Sequence, residues 1–171
     1  MKRRIMKLAL LTAIVVSLGS CIKNDPILFK ESVAEFDATV LNTPATGATY
    51  PLLVRVPVFG FAVAAANPAI TRASGAIGFR INLASAQFDT DQVLNISVVT
   101  DKTTAIAGTH YTIPAKVTIP AKSSYGTLTV TVVNPGVSSL TPVDLVVQID
   151  GNDQVKPSEN YKRLGIRIAQ N

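Results

Sequence analysis

The sequence predicts an all-β domain, an antiparallel sandwich of about eight short strands. Three observations carry this reading. Valine, isoleucine and threonine alternate in short runs. In Gly126-Thr127-Leu128-Thr129-Val130-Thr131-Val132, a period of two puts Leu128, Val130 and Val132 on one face and three threonines on the other. Gly, Pro, Asn and Asp punctuate these runs at a spacing that suits turns and leaves no room for crossover helices. Helical signals are nearly absent behind the leader. A closed barrel is the alternative arrangement of the same strands.

Taken in order, residues 1–20 read as a signal peptide, 21–32 as a tether and 33–171 as the β-sandwich domain. A first strand is expected over 34–41 around Phe36, followed by the turn-rich loop 42–49. The run 50–58 carries Leu52, Val54, Val56 and Val58 at alternate positions and reads as a strand. Residues 59–76 are apolar without clean alternation. They form either an extra strand pair over the core or a loop exposing Phe59, Phe61 and Ile70. The core reading is preferred, because large exposed apolar patches are uncommon on soluble domains. Strands then follow over 77–83 (Ile77, Phe79, Ile81 and Leu83), 93–99 (Leu94, Ile96 and Val98), 115–119 and 126–132. The last two are 143–149, with Val143, Leu145, Val147 and Ile149 inward, and 164–168, with Leu164, Ile166 and Ile168 inward and Arg167 outward. Branched side chains on one face and polar ones on the other suit sheets with one wet side.

The head of the chain carries an address. Lys2, Arg3, Arg4 and Lys7 precede an uncharged apolar run over residues 8–18, which is too short to span a bilayer as a stable helix. Small residues follow, and the pattern is that of a secretory signal peptide. Leu18-Gly19-Ser20-Cys21 resembles a bacterial lipobox, whose cleavage falls just before the cysteine. The resemblance implies a diacylglycerol on Cys21, cleavage after Leu18, Gly19 and Ser20, and acylation of the new amino group. Several acyl chains, each worth roughly 0.8 kcal/mol per buried methylene, hold a protein on a membrane where one would not. A signal cleaved without lipidation would leave the single thiol unexplained.

Charge and cysteine content narrow the rest. The chain has 16 basic and 11 acidic residues, and removal of the four basic leader residues leaves 12 against 11. The basicity belongs to the export signal, so it gives no argument for nucleic-acid binding. With Cys21 the only cysteine, no disulfide within the chain can hold the fold.

A second resemblance covers about thirty residues. Ala107-Gly108-Thr109-His110-Tyr111-Thr112-Ile113-Pro114, Val117-Thr118-Ile119-Pro120-Ala121-Lys122-Ser123-Ser124 and the threonine strand 126–132 look like the middle of a Calx-beta-type sandwich. That implies an immunoglobulin-like topology. His110 stands where the pattern has Asp, and Asn134-Pro135-Gly136 stands where calcium-binding members carry an acidic cluster, so calcium binding is not implied. The whole chain resembles Bacteroidetes surface lipoproteins of unknown function that pair a lipobox with one such sandwich. Membership there implies an accessory role near outer-membrane uptake machinery.

Residues for catalysis are scarce. One histidine supplies neither a hydrolytic triad nor a zinc site, and His110 reads as a turn residue beside Tyr111. Asp89 with Asp91, and Asp150 with Asp153, could serve a small hydrolase as paired carboxylates. Asp, Gly and Asn are also what turns require, and that reading is preferred. Asp150, Asn152 and Asp153 are the candidates for a metal, although three close oxygens fall short of the six to eight that calcium takes. No glycine-rich phosphate loop is present, and no cofactor is expected. There is no tryptophan, so a glycan would have to use Tyr50, Tyr111, Tyr125 and Tyr161, with Phe59 and Phe61 as further candidate contacts; the preferred reading of each tyrosine is a half-buried edge residue, its ring packed and its hydroxyl wet.

These readings converge on a lipid-anchored, non-enzymatic binding or accessory module of the outer membrane, on its periplasmic or cell-surface face. The expected partner is an envelope protein of the uptake machinery. A glycan is the alternative ligand, and a small hydrolase using the Asp pairs is a third reading.

Overall fold

The computed structural model describes residues 31–37 and 47–171. Among the described residues, ten strands run in chain order: β1 (Val33–Phe36), β2 (Leu52–Leu53), β3 (Ala76–Ala84), β4 (Gln92–Val98), β5 (Tyr111–Thr112), β6 (Lys116–Ile119), β7 (Tyr125–Val132), β8 (Val143–Gly151), β9 (Lys156–Pro157) and β10 (Arg163–Ile168). They form two five-stranded sheets, β5-β7-β3-β1-β9 and β2-β10-β8-β4-β6, packed face to face as an immunoglobulin-like sandwich. Each of the eight expected strands has a counterpart; for the first, expected over 34–41, residues 38–41 lie outside the described residues. The two additional ones, β5 and β9, are two-residue edge strands too short to show alternation.

Alternation explains most of the packing. In β3, Ile77, Phe79, Ile81 and Leu83 are buried, and in β7 Leu128, Val130 and Val132 are buried opposite outward-facing threonines. Phe36, Leu94, Ile119, Leu145, Ile149, Leu164, Ile166 and Ile168 complete the core between the sheets. Each such side chain contributes about 1.5–3 kcal/mol by leaving water. Strand β8 also buries Val146, which alternation would turn outward. Residues 99–105 run beside it, with the Val99 amide donating to the Val146 carbonyl at 2.8 Å and the Val146 amide donating to Thr103 Oγ1 at 3.0 Å.

Most pairings are antiparallel, the longest being β3 with β7 from Ala76↔Thr131 to Asn82↔Tyr125. Two edge pairings are parallel, β1 with β9 and β2 with β10. The chain enters β1 beside β9, where Lys156 Nζ lies 3.2 Å from Glu31.

The segment 50–76 departs from expectation. The predicted strand 50–58 shrinks to β2, with Leu53 buried while Val54 and Val58 are exposed. Beyond β2 the chain turns into a hairpin, held by the Val56 amide donating to the Pro68 carbonyl at 2.9 Å and the Ile70 amide donating to the Val54 carbonyl at 2.9 Å. Its tip stands in solvent. Phe59 and Phe61 are exposed, whereas Ile70 at the base is buried, which corrects the preferred core reading of 59–76 for the two phenylalanines. Phe36, Phe79 and Ile81 already fill the interior, and the hairpin pairs its backbone with itself, so its tip has no sheet position to occupy.

Candidate functional site

Two surfaces collect chemistry. The first is the outward face of the β1-β3-β7 sheet. Register places Glu35 opposite Asn82 and Asn82 opposite Tyr125, so the three form a row across adjacent strands. Arg80, one pleat along β3, faces the same way. Its Nε donates to Asn82 Oδ1 at 2.7 Å, and its guanidinium carbon sits 4.2 Å from the Tyr125 ring centroid and 5.9 Å from that of Phe59. Cation–π contacts of this kind stabilise by about 0.5–1 kcal/mol at exposed positions. Phe59 reaches the face from the hairpin tip, where Gly60 adopts φ +75° and donates its amide to Asp37 Oδ2 at 3.4 Å. Burial raises the Glu35 pKa above its ordinary value, the Ser158 hydroxyl opposes that shift, and the charge of Asp37 adds to it.

The second surface is the hairpin with the groove at its base. Asn67 shapes the hairpin by accepting from the Ala64 amide at 2.8 Å and donating to the Val56 carbonyl at 3.1 Å, while Arg55 Nη1 donates to the Asn67 carbonyl at 2.7 Å. The tip presents Val58, Phe59 and Phe61, the last 69% exposed. At the base lies a groove of about 360 Å³, lined by Val54, Arg55, Ile70, Leu140, Pro142 and Arg167 among others. Leu140 is 95% exposed at its rim. Arg167 is committed to Asp144 through two bonds of 2.8 Å, which raise its pKa further.

The structure distributes the remaining candidates elsewhere. Tyr111 is only 5% exposed and belongs to the core, and burial raises its pKa. Tyr161 packs half-buried against the core, and its carbonyl accepts from the Phe36 amide at 3.0 Å. Tyr50 lies over Gly165 of β10, where an added Cβ would come within 3.1 Å of its ring and 2.8 Å of Leu52. Tyr125, 45% exposed with Arg80 over one face of its ring, is therefore the one exposed tyrosine of the four, and no exposed row of tyrosines forms. Sequence reasoning had not singled out Arg80, Asn82 or Glu35, although each sits at a strand position whose neighbours face inward.

The polar candidates serve turns. Asn152 Oδ1 accepts from the amides of Gln154 and Val155 at 2.9 and 2.7 Å, and its Nδ2 donates to Gln92 Oε1 and the Val93 carbonyl. Asp150 accepts from Gln148 Nε2 at 2.8 Å, Asp153 is exposed, and Asp91 accepts from the Ala121 amide at 2.8 Å. His110 Nδ1 accepts from the Ile106 amide at 2.9 Å, closing its own turn. No cluster of three or more His, Cys, Asp or Glu side chains suited to a metal occurs among the described residues. Leu18, Gly19, Ser20 and Cys21 lie outside the described residues.

The family model described as "Domain of unknown function (DUF4843)" matches residues 58–170. The chain belongs to that family. The DUF4843 match begins at the hairpin tip and runs through β10, so it takes in Phe59, Phe61, Arg80 and Tyr125. Among solved structures, the fold is similar to a two-domain protein of unknown function from Bacteroides fragilis NCTC 9343, at 10% identity and a TM-score of 0.51. The likeness covers 81% of this chain and 45% of that one. The apo-form Calx CBD1 domain is similar at 13% identity and a TM-score of 0.49, over 60% of this chain and 88% of that one. CBD12 from CALX1.2 gives 14% and 0.48, over 58% and 39%. At 10% identity the likeness to the Bacteroides fragilis protein is one of fold, and this chain spans less than half the length of the first and third of these structures. No curated protein matches the sequence.

Proposed function

We propose that this DUF4843 protein is a non-catalytic binding module, held on the outer membrane by a lipid on Cys21 and facing the periplasm or the cell surface. In this reading its ligand is a protein of the outer-membrane uptake machinery. The observation that carries the reading is the hairpin tip, where Val58, Phe59 and Phe61 stand in solvent on a backbone pinned from both sides. Exposed apolar residues gathered on one projecting element mark an interaction surface more often than they mark idle surface. Aromatic anchors of this kind dominate interface energetics when a partner covers them. The groove at the hairpin base extends the same surface with apolar walls and the Arg55 guanidinium.

The experiment is co-isolation from the native envelope after mild crosslinking, comparing the wild-type chain with Phe61→Ser and with Phe61→Ser plus Leu140→Ser. An outer-membrane uptake protein recovered with the wild type and reduced at least about tenfold with both variants, at equal circular dichroism, is the expected result. Equal recovery with all three chains would overturn the assignment of the tip as the docking element.

A further inference from the structure

The outward face of the β1-β3-β7 sheet is distinct from the hairpin tip in chemistry, since it is polar, half-exposed and organised around one guanidinium. We propose that it is a carbohydrate-binding site, with Tyr125 as the stacking platform and Arg80, Asn82 and Glu35 as the hydroxyl-recognising groups.

The row Glu35–Asn82–Tyr125 crosses three neighbouring strands, and at a strand spacing of about 4.8 Å its ends lie about 10 Å apart, the length of one to two sugar rings. Tyr125, half-exposed in a chain without tryptophan, offers for stacking the part of its ring that Arg80 does not cover. The Arg80 guanidinium lies against it at 4.2 Å and is oriented by Asn82 Oδ1, so its remaining N–H groups are pre-set and little rotamer freedom is lost on binding. Asn82 still has the donors of Nδ2 and a second lone pair on Oδ1 to offer. Glu35 supplies an acceptor at the far end of the row.

Donors at the centre, an acceptor at one end and an apolar ring at the other match a pyranose, which has hydroxyls on its rim and C–H groups on its face. The charge balance selects further. Glu35, the acceptor at the end of the row, would repel a carboxylate placed against it, so the site fits a neutral saccharide. The hairpin tip and the sheet face share Phe59, and Phe61 on the first and Tyr125 on the second separate their contributions.

The test is amide chemical-shift mapping of the full folded domain against soluble neutral hexasaccharides of glucose, mannose and xylose, with a hexagalacturonate as the acidic comparison. Saturable shifts confined to β3, β7 and β1 with at least one neutral hexasaccharide, and none with the galacturonate, are expected. Tyr125→Ala and Arg80→Gln should each weaken that binding by about tenfold or more, while Phe61→Ser leaves it unchanged. Absence of shifts with every neutral hexasaccharide at millimolar concentration would overturn the proposal, as would binding that Tyr125→Ala leaves intact. Should Tyr125→Ala fail to fold, Tyr125→Leu, which keeps an apolar side chain and removes the aromatic face, reads the same outcome.

Discussion

Gly151 and Asn152 make the turn between β8 and β9, and each does something its replacement cannot. Gly151 sits at φ +78°, and a Cβ there would strike the Val155 carbonyl, so Gly151→Ala should destabilise the fold by about 1–3 kcal/mol. Asn152→Ala strips two backbone amides of their acceptor and should cost about 1–3 kcal/mol. Urea midpoints at unchanged slope read both. Because the Asn152 oxygen is already committed, adding calcium should leave the thermal midpoint where it was, and a rise on titration would restore the metal candidates Asp150, Asn152 and Asp153. Glu35 carries a pH signature. Its carboxyl holds its proton more tightly folded than unfolded, because burial dominates the opposing bond from Ser158. The native state therefore binds more protons in the window above the ordinary 4.5, and stability falls as pH rises through that window, then levels off. Glu35→Gln should flatten this part of the urea-midpoint profile and leave the protein no less stable at neutral pH; a profile unchanged by the substitution would contradict the burial account.

At the scale of elements, the β3–β7 pair shows what alternation determines. Phe79→Ala, in the buried row, should cost about 3–5 kcal/mol, whereas Thr129→Val on the wet face should stay within about 0.5 kcal/mol. Denaturation of the two variants checks the contrast. Which side chains face inward was legible along β3, β4, β7 and β10, and along β8 apart from Val146, since a period of two is a local property of the chain. What lies across a strand was not legible. Asn82 meets Tyr125 and Glu35 only because non-local pairing sets that register, so the Arg80–Tyr125 contact left no trace in either segment alone. The hairpin 54–70 failed for a related reason. Composition makes its tip look like core, but Val54 pairs back onto Ile70 and the interior is filled by residues distant in sequence. Tyr161 packs half-buried as tyrosine at a sheet margin commonly does, whereas Tyr111 in the edge strand β5 is buried more fully than its type suggests.

For the whole molecule, the fold is held by one core shared between two sheets, with edges kept short: β2, β5 and β9 have two residues each, which limits edge-to-edge association. With Cys21 the single cysteine, reducing agent should not move the thermal midpoint of the domain. In cells, a clickable fatty acid should label the wild-type chain and leave Cys21→Ala unlabelled and in the soluble fraction; label on neither chain would contradict the anchor. The docking role of the hairpin tip is tested most directly by placing a photo-crosslinking residue at Phe61 in the lipid-bearing protein in living cells, with the same residue at Val93, on the outward face of β4, as the control. The account predicts a discrete adduct with an outer-membrane uptake protein from position 61 and none from position 93. No adduct from position 61, or equal adducts from both positions, would contradict it.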